Sequence, residues 1–140
     1  MTRTMSPRAV AATILSLIDA GRWNDLAAYY GDDAVVDQPF ALPEPVRIDG
    51  RAAIAAHFAV AAKMPLAMRV RDARFTEGAD GETVVAEYRY DLIDPGGNRL
   101  AQVANVQLFR IVDGKVAASR DYHDHHRIGA AFAALRAQAG

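Results

Sequence analysis

A carboxylate and an imidazole two residues apart on a β-forming run can share one face of a strand, and Ser119-Arg120-Asp121-Tyr122-His123 provides that spacing. Alternation puts Ser119, Asp121 and His123 on one side and Arg120, Tyr122 and Asp124 on the other. A carboxylate held among apolar groups is desolvated, its pKa rises, and it becomes suited to acid–base work near neutrality. A second imidazole, His57, lies on the apolar side of a helical pattern. Two further strand-like runs supply polar groups among apolar ones. Val103, Asn105, Gln107 and Phe109 alternate onto one face, and Tyr88 and Tyr90 accompany Val84, Ala86 and Leu92. Proton abstraction beside a carbonyl needs a base and also donors that converge on the developing oxyanion, roles that this set can fill.

Each of these residues also has a structural reading. Asp121 can serve only to hydrogen-bond a neighbouring tyrosine or backbone amide, since a buried carboxylate needs partners in any case. His57 can be a satisfied core histidine, and Gln38, Asn105 and Gln107 can bind ordered water rather than orient a ligand. His123-Asp124-His125-His126 contains ligand types suited to zinc, iron or nickel. On a strand, however, only His123 and His125 share a side with Asp121, so a strand ending in a solvated loop is the simpler account and no metal is expected. Arg69, Arg71 and Arg74 are interspersed with Asp72 and Glu77, which reads as a solvated strand face rather than a nucleic-acid groove. Phosphate loop, nucleophile elbow and dinucleotide fingerprint are all absent from the sequence, and no cofactor is expected.

The elements that must position these groups follow from period and punctuation. Ser6-Pro7 is a helix start, and Val10, Ile14, Leu17 and Ile18 carry the helix to Ala20, with Gly21 stopping it. Trp23 to Tyr30 reads as a second short helix ended by Gly31. Asp33 to Gln38 reads as a short strand followed by a proline-rich loop, Pro39 to Pro45. Asp49 is placed to cap a third helix from about Arg51 to Lys63, with Ile54, His57, Phe58 and Ala61 on one face. Strands then follow one another over Leu66–Thr76, Glu82–Ile93, Arg99–Val112 and Lys115 to about His123. The turns Ala79-Asp80-Gly81, Asp94-Pro95-Gly96-Gly97-Asn98 and Asp113-Gly114 make consecutive strands antiparallel neighbours. Gly129 to Gln138 reads as a terminal helix carrying Phe132 and Leu135. Helices first and an antiparallel meander afterwards predict an α+β domain, one unit over residues 1–140, with helices on one face of the sheet.

The 140 residues are 51% hydrophobic and 24% charged, an ordinary globular composition. Sixteen Lys+Arg against seventeen Asp+Glu leave a formal net charge of -1, so no strong field favours nucleic acid or an anionic membrane. The absence of cysteine excludes disulfides, thiolate nucleophiles and cysteine-ligated metals, and suits a reducing cytoplasm. Neither a membrane span nor a leader pattern is read in the sequence, including its first ten residues, MTRTMSPRAV.

Four stretches carry a family resemblance: Leu17-Ile18-Asp19-Ala20-Gly21-Arg22-Trp23, Tyr29-Tyr30-Gly31-Asp32-Asp33-Ala34-Val35-Val36-Asp37-Gln38-Pro39, Asp49-Gly50-Arg51-Ala52-Ala53-Ile54, and Asp113-Gly114-Lys115-Val116 leading into Arg120-Asp121-Tyr122. Through them nearly the whole chain resembles the nuclear transport factor 2-like superfamily, in particular its SnoaL-like and ketosteroid-isomerase-like small-molecule enzymes. The resemblance implies a cone-shaped fold, with three N-terminal helices closing a strongly curved, mainly antiparallel sheet around an apolar pocket and a short C-terminal helix possible. It also implies a homodimer through the outer sheet face, which includes Val106 and Leu108.

Carried over by position, the steroid isomerase groups are missing. Gln38 stands where that family has its proton-shuttling aspartate, and Ile14 and Gln107 stand at its two oxyanion donors. The resemblance to limonene-type epoxide hydrolases matches Asp121 within Arg120-Asp121-Tyr122, but Asn105 and Gln107 replace the partner arginine and aspartate. SnoaL-like cyclases make looser demands, commonly an aspartate assisted by histidine. The expectation is therefore cofactor-independent isomerisation, cyclisation or hydration of a small hydrophobic, oxygen-bearing molecule. Asp121 would transfer the proton, assisted by His123 or His57. Gln38, Tyr88, Tyr90, Asn105 and Gln107 would orient the ligand, with Trp23 and Phe58 in its apolar lining. The alternatives are a non-catalytic binding or dimeric interaction module and, less favoured, epoxide hydrolysis by a rewired acid–base set.

Overall fold

The Ser6 hydroxyl accepts a hydrogen bond from the Ala9 amide at 3.2 Å and Pro7 fills the first helical position, so α1 (Pro7–Asp19) begins at the predicted cap. This computed structural model describes residues 4–139; Met1 to Arg3, which open the segment read for a leader, lie outside them. Gly21, with φ +72°, takes the left-handed conformation that turns the chain out of the helix. The apolar stripe of α1, Val10, Ala11, Ile14, Leu15 and Ile18, is buried against the sheet. Replacing Ser6 with alanine leaves a first-turn amide without this acceptor and is expected to cost about 1 kcal/mol, measured as a shift in the urea midpoint at unchanged slope.

Beyond α1 the chain forms β1 (Tyr30–Gln38), β2 (Val46–Asp49), α2 (Arg51–Ala62), β3 (Ala67–Glu77), β4 (Thr83–Ile93), β5 (Arg99–Val112), β6 (Lys115–His123) and α3 (His125–Ala139). The six strands make one sheet in the order β2-β1-β6-β5-β4-β3. From β3 to β6 each strand pairs antiparallel with the next, as the turn signals predict. Asp113 (φ +52°) and Gly114 (φ +74°) both adopt left-handed conformations, the backbone of a two-residue hairpin turn whose twist matches its strands. The inward residues of β4 and β5, among them Val84, Leu92, Val103 and Phe109, are fully buried beneath the helices.

Three features differ from the expected architecture. The sheet is open and of mixed topology, not strongly curved or closed into a cone: β2 and β3 are its edges, and β1 runs parallel to β6. Three N-terminal helices are not formed either. Trp23–Asp25 and Ala27–Tyr29 are two separate 3-10 turns without a side-chain cap, and Tyr30 and Gly31 already belong to β1. Eight residues without a cap hold too few backbone bonds to repay helix nucleation, so the segment breaks into tighter turns. Lastly, α3 is fifteen residues long and starts four residues before its predicted boundary, because Asp124 Oδ1 accepts from the Arg127 amide at 3.1 Å.

Two smaller corrections concern the approach to α2. Its cap is Gly50, at φ +89°, while the Asp49 carboxylate accepts from Arg47 Nε at 3.1 Å. The preceding segment, Val46–Asp49, is an exposed edge strand paired with β1. On β3, Arg69 pairs with Asp19, Arg71 with Asp91 and Arg74 with Glu87, at 3.2, 3.1 and 3.3 Å. Among the described residues, no helix is long and apolar enough to cross a membrane.

Candidate functional site

Strand register brings the polar residues of β5 and β6 together in pairs. Gln107 lies opposite Asp121, Asn105 opposite His123 and Phe109 opposite Ser119, all on the helix-covered face. On the next strand, Tyr88 lies opposite Asn105 and Tyr90 opposite Val103. A period of two along three adjacent strands therefore builds a polar patch within an apolar face.

The hydrogen bonds fix the donors and acceptors of this patch. Tyr88 donates its hydroxyl proton to Gln107 Oε1 at 2.6 Å, so the Gln107 amide nitrogen is left to donate, and it does so to Asp121. Ser119 Oγ also donates to Asp121 Oδ1. Asp121 is only 7% exposed, and burial raises its pKa above the ordinary 3.8 even though Ser119, Gln107 and His57 act in the opposite direction. Because the Tyr88 proton is committed to Gln107, Tyr90 is the donor in the long 3.4 Å contact between the two hydroxyls, and its proton can turn from there to a stronger acceptor in the cavity. Burial holds Tyr90 well above the usual phenol range, so it remains a donor.

His123 is fixed in one tautomer by similar logic. Asn105 Nδ2 donates to the Val103 carbonyl at 3.1 Å, leaving Oδ1 as the acceptor that faces His123 Nδ1 at 2.7 Å. Nδ1 therefore carries the proton, and Nε2 keeps a lone pair. Burial, with His125 and His57 nearby, lowers the His123 pKa to about 4, so the ring is neutral near pH 7. His57 is exposed overall, yet its ring packs on Phe58 with centroids 5.8 Å apart. The resulting loss of hydration lowers its pKa, with Asp121 opposing. His125 Nε2 is buried with no hydrogen-bond partner, and desolvation lowers the pKa of that ring too.

Between this patch and the helices lies a cavity of about 190 Å³. Of the residues proposed from sequence, Trp23, Gln38, His57, Phe58, Tyr90, Gln107, Asp121 and His123 line it. Tyr88 and Asn105 do not; they stand behind the lining, one holding Gln107 and the other His123. Sequence reasoning missed Tyr30, Met64, Met68, His125, Ile128 and Phe132 as lining residues. Phe132 carries a visible signal as an apolar residue of the terminal helical run, but nothing local indicates that this helix closes over a cavity. Among the described residues, no group of three or more His, Asp or Glu side chains is arranged to hold a metal ion.

The fold is shared with solved structures across most of their length. An isomerase candidate from Bacillus subtilis superposes with a TM-score of 0.78 at 21% identity, covering 89% of this chain and 90% of its own. A polyketide cyclase candidate from Xanthomonas campestris pv. campestris gives 0.73 at 20% identity over 89% and 94%. The epoxide hydrolase/cyclase-like enzyme SalBIII, described for pyran ring formation in the polyether salinomycin, gives 0.67 at 16% identity over 86% and 92%. At these identities the likeness establishes the fold alone. No curated protein matches the chain. A family model does, over residues 11–119, and by that match the chain belongs to the SnoaL-like domain family.

Proposed function

We propose that the protein is a cofactor-independent acid–base enzyme that isomerises, cyclises or hydrates a small hydrophobic, oxygen-bearing molecule. The observation that carries this reading is Asp121, the sole carboxylate on the cavity wall among the described residues, buried and raised in pKa beside a phenol that keeps its proton. Asp121 takes a proton from carbon or water. Tyr90 donates a hydrogen bond to the oxygen where charge develops, with Gln38 a second polar group on the wall. His123, neutral with Nε2 unprotonated, accepts a proton or orients a hydroxyl. Solved structures of this fold carry isomerase, polyketide cyclase and epoxide hydrolase/cyclase-like descriptions, which support small-molecule chemistry of this general kind. Homodimerisation through the opposite sheet face, where Val106 and Leu108 are half-buried, belongs to the same reading.

The test is deuterium uptake at carbon beside the carbonyl of small cyclic ketones, followed by proton NMR in D2O, with epoxide opening assayed in parallel. Catalysed exchange that saturates with ketone supports the reading, and the absence of both activities across the panel removes it. Tyr90→Phe keeps the ring and deletes the donor, so exchange should slow by about tenfold to a hundredfold with KM little changed. A second reading, a non-catalytic binding module, is favoured by one observation: Asp121 already receives hydrogen bonds from Ser119 and Gln107, which a purely structural carboxylate also needs. Epoxide hydrolysis is less favoured, since Asn105 and Gln107 provide neither the arginine nor the second carboxylate of that chemistry.

A further inference from the structure

The cavity holds a carboxylate among aromatic rings with neither lysine nor arginine on its described lining to neutralise it. The hydrogen bonds to Asp121 come from neutral donors, a hydroxyl and an amide. The three lining histidines, His57, His123 and His125, are all held below the usual imidazole pKa by burial. The rings form two runs. Trp23, Phe58 and Tyr30 pack in series, with centroid separations of 6.2 and 5.5 Å. Tyr90 stacks on His123 at 6.0 Å with the planes 27° apart.

We propose that this cavity binds a small alkylated ammonium ion, its charge paired with Asp121 and its alkyl groups against Trp23, Phe58, Tyr30 and Tyr90. The inference takes the site from the preceding section but does not depend on proton transfer there. A neutral apolar ligand displaces water from Asp121 and returns nothing to the carboxylate. A cation returns Coulomb energy in a medium of low dielectric constant, and aromatic faces attract it through their quadrupoles. Alkylation matters as much as charge. A primary ammonium needs three acceptors in place of water, whereas a quaternary head needs none and gains by burying its methyl groups. The cavity, at about 190 Å³, is smaller than the roughly 300–1,000 Å³ of pockets for drug-sized ligands, which favours a compact head group.

Choline, its neutral carbon isostere 3,3-dimethylbutan-1-ol, and ethanolamine separate these contributions when titrated into the full chain by NMR. Choline should bind at least about tenfold tighter than the isostere and than ethanolamine. In Asp121→Asn the preference for choline over the isostere should shrink to within about threefold. Phe58→Leu, which keeps an apolar side chain and removes the ring, should weaken choline at least about threefold more than it weakens the alcohol. Equal binding of choline and the alcohol, binding of ethanolamine as tight as that of choline, or no saturable response to choline each overturns the proposal. Deuterium exchange without cation preference removes this inference and leaves the enzyme reading standing; cation preference without exchange does the reverse.

Discussion

Asp121→Asn is expected to reduce catalysed exchange by about 10²- to 10⁴-fold while making the folded protein more stable near neutral pH. The first effect follows from chemistry, because an amide of the same shape cannot accept a proton from carbon. The second follows from linkage. The carboxyl titrates higher in the folded chain than its unfolded value of 3.8, so folding favours its protonated form. Its contribution to stability is therefore full below pH 3.8 and is lost as pH rises through the folded value. At neutral pH the ionised group is a cost that asparagine removes while keeping an oxygen for the Ser119 hydroxyl. Thermal melts at pH 7.5 beside exchange rates decide the matter. A folded variant with wild-type exchange removes Asp121 from the mechanism, and a lower melting temperature means that its hydrogen bonds outweigh its desolvation. Gain of stability with loss of activity is the pattern of a group retained for chemistry.

Acidification is expected to destabilise the wild-type protein between about pH 6.5 and pH 4, with His123 the largest single contributor. The His123 ring titrates at about 4 in the folded chain and near 6.5 when unfolded, so the unfolded chain takes up the proton first. Stability from this group is complete above pH 6.5 and falls as pH drops toward 4, by on the order of 3 kcal/mol. His57 and His125 are also lowered and add to the slope; Asp121 opposes it below its folded value. Urea unfolding of His123→Gln at a series of pH values should give a visibly flatter acid limb, since glutamine can still donate to Asn105 Oδ1. An unchanged slope would mean that His123 is not the group held neutral by folding.

Legibility of the fold depended on how local each determinant is. The strand Arg99–Val112 is read to the residue because five turn-forming residues precede it and Asp113-Gly114 follows it. Trp23–Tyr30 has helical apolar spacing but no capping group, and spacing alone misreads it. The edge strand Val46–Asp49 is four mostly exposed residues beside prolines, with neither alternation nor length to mark it. Asp124 was a usable cap signal for α3, obscured by the three histidines around it. In the site, the period of two accounts for Ser119, Asp121 and His123 sharing one face, and likewise Asn105 with Gln107. Which residues touch the cavity and which brace those that do depends on cross-strand register and on helix packing, and a single strand carries neither.

The parallel pairing of β1 with β6 has a consequence for how the chain acquires its shape. Strands β3 to β6 are joined by short hairpins and close small loops, whereas Val36 must find Ser119 across most of the sequence. During synthesis β1 leaves the ribosome early and waits for a neighbour that is made near the end. Until then its buried residues, Tyr30, Ala34 and Val36, lack the strand that covers one of their edges. The meander is thus the earlier unit, and docking of β1 is the later step that brings Gln38 and Tyr30 to Asp121. A mutation that slows this docking would yield a chain with its sheet largely formed and its binding chamber unassembled, exposed to edge-to-edge association in the interval.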